Sequence, residues 1–259
     1  ANSGTVQFTA GVSATASITG DVTGTGALDV DADSGVDGAV TAASTDIAAG
    51  TTFTVTGNYD VDTTTLNDAT ATLALTTGSD LTGDVVAAMD GFGEVTFTDT
   101  VATTAISGDI GSATAAVNAL EVTAGANAAE LTTTGNLYVN TVTLGANDVL
   151  TFIGTSAQTV SGDIAGTGDI VVGDSTASTV TFAGTVAGAA NTIDAEATAI
   201  YSDNATFTGA LTNGGSVRVA QDALLTAGSV AGAGTFTLDV NDADAALTAD
   251  DFGTLDLGG

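Results

Sequence analysis

The chain reads as an all-β protein, a parallel β-helix or a close solenoid relative, on three observations. A five-residue phrase (aliphatic, hydroxyl, Gly, Asp, aliphatic) occurs as Ile18-Thr19-Gly20-Asp21-Val22, Leu81-Thr82-Gly83-Asp84-Val85, Ile106-Ser107-Gly108-Asp109-Ile110 and Val160-Ser161-Gly162-Asp163-Ile164. Short runs rich in β-branched residues recur between Gly, Asn and Asp. The dipeptide Thr-Phe returns with its ring at Phe53, Phe97, Phe152, Phe182, Phe207 and Phe236, and its spacing becomes more even toward the C-terminal half. Repetition on this scale is the signature of stacked architectures, in which a unit buries its apolar face only against its neighbours.

In chain order, the predicted strands are 5–10, 51–56, 95–100, 137–144, 149–153, 178–185, 205–208 and 235–240. Their Thr, Val and Ile suit a pleated surface, while Gly, Asn and Asp supply turns in a chain without Pro. Phe within these runs is expected to point inward, and Thr and Asp outward. The first half is less regular: 85–89 and 115–120 fit either short helical turns or continued strand. No Pro-rich or like-charge linker interrupts the chain. Residues 1–259 are therefore read as one β-rich repeat domain, the alternative being a division near 100–135. The competing architecture is a β-sandwich subunit with strand exchange, for which 5–10 is the natural donor.

Composition narrows function. There are 31 acidic side chains, one basic side chain (Arg218) and no His or Cys, giving a net charge of −30. Nucleophilic triads, His-ligated metals, thiolate zinc sites, Schiff bases and phosphate-binding lysines all lose a required residue type. Paired carboxylates for glycoside hydrolysis survive on residue type alone. Such a site would ordinarily carry aromatic platforms for the sugar, and this chain has three Tyr and no Trp. No enzyme is expected. The charge opposes nucleic acid and anionic membranes, and it favours cations. No run reaches the roughly 20 apolar residues of a membrane helix, so no membrane insertion is expected. The start at Ala1-Asn2-Ser3 reads as a chain whose signal peptide has been removed, and the absence of Cys suits a bacterial extracellular protein.

With its repeats laid out, the chain resembles the passenger regions of bacterial autotransporters, in particular the autotransporter-associated β-strand repeat. Residues 158–172, Gln-Thr-Val-Ser-Gly-Asp-Ile-Ala-Gly-Thr-Gly-Asp-Ile-Val-Val, follow that family's phrase most closely, and 18–30 and 227–240 follow it loosely. The Thr-, Asn- and Gly-rich texture is also similar to rickettsial-type surface-layer passengers. Two departures stand out: the Lys usual in the repeat is missing, and no C-terminal alternating amphipathic segment suggests the translocator barrel. The resemblance implies a right-handed parallel β-helix displayed outside the cell. It implies no substrate.

Acidic clusters supply the candidate sites. Asp29, Asp31, Asp33 and Asp37 alternate toward a Gly turn and are expected to converge on Ca²⁺, which takes six to eight oxygens. The competing role is a solvent-facing strand edge. Asp60 and Asp62, with Asn58, Asn67 and Asp68, form a second candidate; Asp239, Asp242 and Asp244, with Asn241, Asp250 and Asp251, form a third. The Asp of the repeated phrase is read as turn chemistry, its carboxylate bonding nearby backbone NH groups. The expected function is an extracellular structural protein that assembles with itself into a cell-surface layer or filament, held by cations. The alternative is a monomeric, stalk-like adhesin that binds another cell or a glycan.

Overall fold

The computed structural model describes residues 3–9, 16–76, 78–98, 103–123, 129–174, 177–239 and 246–249. Among them are strands, bends and turns, and no helix. All strand pairings are parallel, and the chain winds as a β-solenoid of about 11 turns. The strand-exchanged sandwich is thereby set aside. Residues 85–89 and 115–120, open between helix and strand, lie largely in the strands Leu81–Ala87 and Val117–Thr123.

Each turn lays strand on three faces. Face I runs from Ala16–Thr19 through Ser34–Asp37, Thr52–Val55, Thr72–Thr76, Phe92–Thr98, Val117–Thr123, Val139–Leu144 and Asp163–Gly166 to Val186–Gly188. Face II includes Thr103–Ile106, Glu130–Thr133, Val149–Phe152, Asp169–Val172 and Asn191–Ile193. Face III begins with Val6–Phe8 and Ala27–Val30 and ends with Ala157–Val160, Thr179–Phe182, Thr198–Tyr201, Ser216–Val219 and Thr235–Leu238. Longer strands bend around a corner: Val40–Ile47, Tyr59–Leu66 and Leu81–Ala87 pass from II to III, and Ala205–Asn213 and Leu224–Ala231 from I to II. Register shifts mark two such bends, at Gly83 and at Thr208-Gly209.

The interior follows from alternation. In a parallel stack every second side chain points inward, and identical positions of successive turns lie above one another. Phe53, Leu73, Val95, Leu120, Val142, Ile164, Val186, Ala205 and Leu225 are register partners in sequence, and all are buried. Each such aliphatic or aromatic side chain contributes about 1.5–3 kcal/mol on burial. The six Thr-Phe rings all point inward, as expected, but from different faces: Phe53, Phe97 and Phe207 from I, Phe152 from II, Phe182 and Phe236 from III.

Turn length varies, and the corners absorb the difference. Near the N-terminus Thr52 NH bonds back 19 residues to Asp33, one turn below. In the middle of the rod Asn136 NH must reach back 27 residues to Asp109 for the equivalent bond. Where corners are tight, Gly is obligatory. A Cβ on Gly108 would stand 2.1 Å from the carbonyl oxygen of Gly83, and one on Gly135 would stand 1.9 Å from that of Gly108. Successive corners therefore stack backbone on backbone.

Candidate functional site

The repeated phrase marks corners, and all three kinds. Gly20-Asp21 turns from face I to II, Gly83-Asp84 and Gly108-Asp109 from II to III, and Gly162-Asp163 from III to I. The carboxylates do bond backbone NH groups, but across the stack instead of within their own turn. Ala39 donates its NH to Asp21 Oδ1 at 2.9 Å and Thr185 its NH to Asp163 Oδ1 at 2.8 Å, each from the next turn. At the II–III corner these bonds form a chain. Asp109 NH donates to Asp84 Oδ1 (2.9 Å), Asn136 NH to Asp109 Oδ1 (2.7 Å), and Thr159 NH to Asn136 Oδ1 (2.9 Å). Asn136 adds its side-chain amide to Asp109 at 3.1 Å. The acid is a staple between turns.

Other Asp and Asn residues do the same elsewhere. Asp80 accepts from Ala105 NH, Asp90 from Ala116 NH, Asp169 from Ala190 NH and Asn204 from Leu224 NH, at 2.9 to 3.0 Å. Asp148 is fully buried and accepts from Ala129 NH of the preceding turn. No local pattern in the sequence announces these bonds, since donor and acceptor lie about one turn of chain apart.

The predicted metal residues fall into this scheme separately. Asp29 and Asp31 share Gln7, whose amide donates to both at 3.1 and 2.8 Å. Strand Ala27–Val30 ends before Asp31, so the acidic run wraps a corner instead of lining one strand. Asp33 accepts from Thr52 NH, and Asp37 from the Thr56 hydroxyl, both at 2.9 Å. Asp60 and Asp62 are exposed and border a shallow dip with Gly24, Thr25, Thr41, Ala42 and Ala43. Asn58 accepts from Asp80 NH, while Asp68 closes a local turn on Thr70. That turn's hydroxyl and NH hold the Asp68 carboxyl below its usual range. Asp239 pairs with Arg218 at 2.6 Å. Asp242 and Asp244, like Asn241, Asp250 and Asp251, lie outside the described residues. Among the described residues no three acids converge as a metal cage.

One carboxyl pair stands apart. On face I, burial pushes the Glu94 carboxyl above its usual range, and neighbouring Glu121 adds to this through its charge and a hydrogen bond. In the core, burial raises the Tyr59 hydroxyl to about 12, with the neighbouring Thr45 and Thr64 hydroxyls acting the other way, the latter hydrogen-bonded to it at 2.8 Å. Burial raises Tyr201 as well, and Asn191 donates to its hydroxyl at 2.8 Å.

Comparison with protein-family models, curated proteins and solved structures gives no match at any of the three. The reading of this chain therefore rests on its own geometry.

Proposed function

We propose that the protein is an extracellular structural element of a bacterial surface that assembles with copies of itself into a layer or filament, with Ca²⁺ or a similar cation holding copies together. The observation that carries this reading is the continuous three-faced stack. At roughly 4.8 Å per turn, about 11 turns make a rod on the order of 50 Å long, with Thr and Asp on the outside. Many of its carboxylates hold successive turns together, which is the chemistry of a strut. Asp29 with Asp31, and Asp60 with Asp62, each offer two carboxylates from one copy. Two copies together would approach the six to eight oxygens that Ca²⁺ takes.

Repulsion between chains of charge −30 makes assembly depend on ions. Negative-stain images of purified protein with added Ca²⁺ are expected to show lattice or filaments, and a chelator at low ionic strength is expected to disperse them. Single rods under every condition would favour the stalk-like adhesin. Assemblies that survive the chelator would remove Ca²⁺ from the proposal.

A further inference from the structure

We infer that Asn204 is a glycosylation site, its side-chain amide taking a sugar from a phosphate-activated donor. This goes beyond the assembly reading and does not depend on it. Asn204-Ala205-Thr206 is the only Asn-x-Ser/Thr triplet in the chain, and its middle residue is not Pro. Such a triplet is the acceptor of N-linked sugar.

Its placement in the fold suits that chemistry. The triplet lies where the chain passes from face III to face I, between Thr198–Tyr201 and Ala205–Asn213. Asn204 and Thr206 are exposed, whereas Ala205 between them is buried. Strand alternation therefore puts the acceptor amide and the hydroxyl two residues on at the same outward surface.

The amide is held by its oxygen. Asn204 Oδ1 accepts from Leu224 NH of the following turn at 2.9 Å, and the Asn204 backbone carbonyl accepts from Val186 NH of the preceding turn at 2.9 Å. Among the described residues its Nδ2 donates to no group. The amide nitrogens of Asn136, Asn191 and Asn213 are instead committed to Asp109, Tyr201 and Thr235. Nor does the bond to Leu224 call for an amide, because Asp80, Asp90 and Asp169 hold the same kind of NH with a carboxylate.

The product also fits. Transfer forms a bond from Nδ2 to C1 of the sugar and breaks the bond from C1 to the donor's phosphate oxygen, which leaves with the electron pair. One Nδ2 proton passes to a base of the transferase. A secondary amide remains, with Oδ1 still free to accept from Leu224, so the bond between turns survives modification. The sugar then stands at an exposed corner, outside the sheets.

The test is peptide mass spectrometry on the full chain purified from the cells that make it, cut before Asp so that 203–221 is released whole. This peptide is expected to carry added sugar, localised to Asn204 by fragmentation. One sugar unit would identify a nucleotide-linked donor, and a preassembled oligosaccharide a lipid-linked one. Thr206→Ala is expected to lose the addition and Thr206→Ser to keep it. Asn204→Asp retains an oxygen for Leu224 NH, so it is expected to lose the sugar and still melt with the deglycosylated wild type. Unmodified Asn204 in protein from its own cells would overturn the inference. So would sugar confined to Ser or Thr hydroxyls, or an addition at Asn204 indifferent to Thr206→Ala. Each of these failures leaves self-assembly standing, because negative-stain images test that separately.

Discussion

The middle of the solenoid and its C-terminal third both carry corner staples, but the C-terminal third adds a column of rings inside. Between Asp84 and Thr159 the II–III corner is fastened from outside by Asp84, Asp109 and Asn136, each holding an NH of the following turn, over an interior that is mainly aliphatic. Between Phe152 and Phe207 the corner staples at Asp163 and Asp169 are joined by an internal fastening. Phe152 meets Phe182 edge-on at 5.6 Å, Phe182 stacks on Tyr201 at 5.2 Å and 11°, and Tyr201 meets Phe207 at 6.2 Å. A stacked pair at 5.2 Å almost matches the distance between neighbouring strands, so aromatic partners in register pack along the axis with little adjustment. Turn length follows the same division. In the middle, Asp109 bonds back 25 residues to Asp84, and Asn136 bonds back 27 residues to Asp109. Toward the C-terminus, Ala190 reaches back only 21 residues to Asp169, and Leu224 only 20 residues to Asn204.

This contrast can be broken at either end. The largest effect is expected from Phe182→Ala, a loss of about 3–5 kcal/mol, with hydrogen exchange accelerating in the C-terminal third well before the middle. Uniform acceleration along the rod would mean that the two regions are one cooperative unit. Gly108→Ala comes next at about 3 kcal/mol or more, since its Cβ would lie 2.1 Å from a backbone oxygen that no rotamer can move. Gly50→Ala, at φ +68° with open space around it, should cost only about 1 kcal/mol, and equal denaturant midpoints for the two would refute the stacked-corner account.

Removing one staple is expected to be milder. Asp109→Ala leaves the part-buried Asn136 NH without its acceptor and should cost about 1–2 kcal/mol in urea unfolding, while Asp109→Asn, which repeats the chemistry of Asn136 itself, recovers most of it. The smallest effect concerns Glu94. Its folded-state pKa is raised, so ionisation costs stability as pH rises from the unfolded value through the folded one, and the penalty is absent in acid. Glu94→Gln should therefore raise the melting temperature slightly at neutral pH and leave it unchanged at acidic pH. The opposite ordering would rule out the Glu94–Glu121 pairing.

The fold was legible because burial leaves a mark at every turn: β-branched residues alternate, and a ring follows Thr in six strands. Register was not legible. The phrase containing Asp21, Asp84, Asp109 and Asp163 recurs at uneven intervals because it serves different corners, and only Asp84 and Asp109 stand one turn apart at the same corner. The role of its carboxylate was half legible. Gly-Asp announces a turn, yet the donor at Asn136 or Thr185 belongs to another turn whose distance varies with loop length. The run from Asp29 to Asp37 resembles a single strand edge because alternation continues across Asp31 and Asp33, where the backbone rounds a corner.

The stacked II–III corner has a consequence for the length of the molecule. Gly83-Asp84 and Gly108-Asp109 occupy equivalent places, and Asp84 and Asp109 are 25 residues apart. Excising residues 84–108 would join Gly83 directly to Asp109, recreating the same corner with the same carboxylate in the same position. The Asn136 NH would still find Asp109, and the turn below would notice only a new neighbour. Corners built alike act as interchangeable joints, so this chain can be shortened by a whole layer without inventing a new junction.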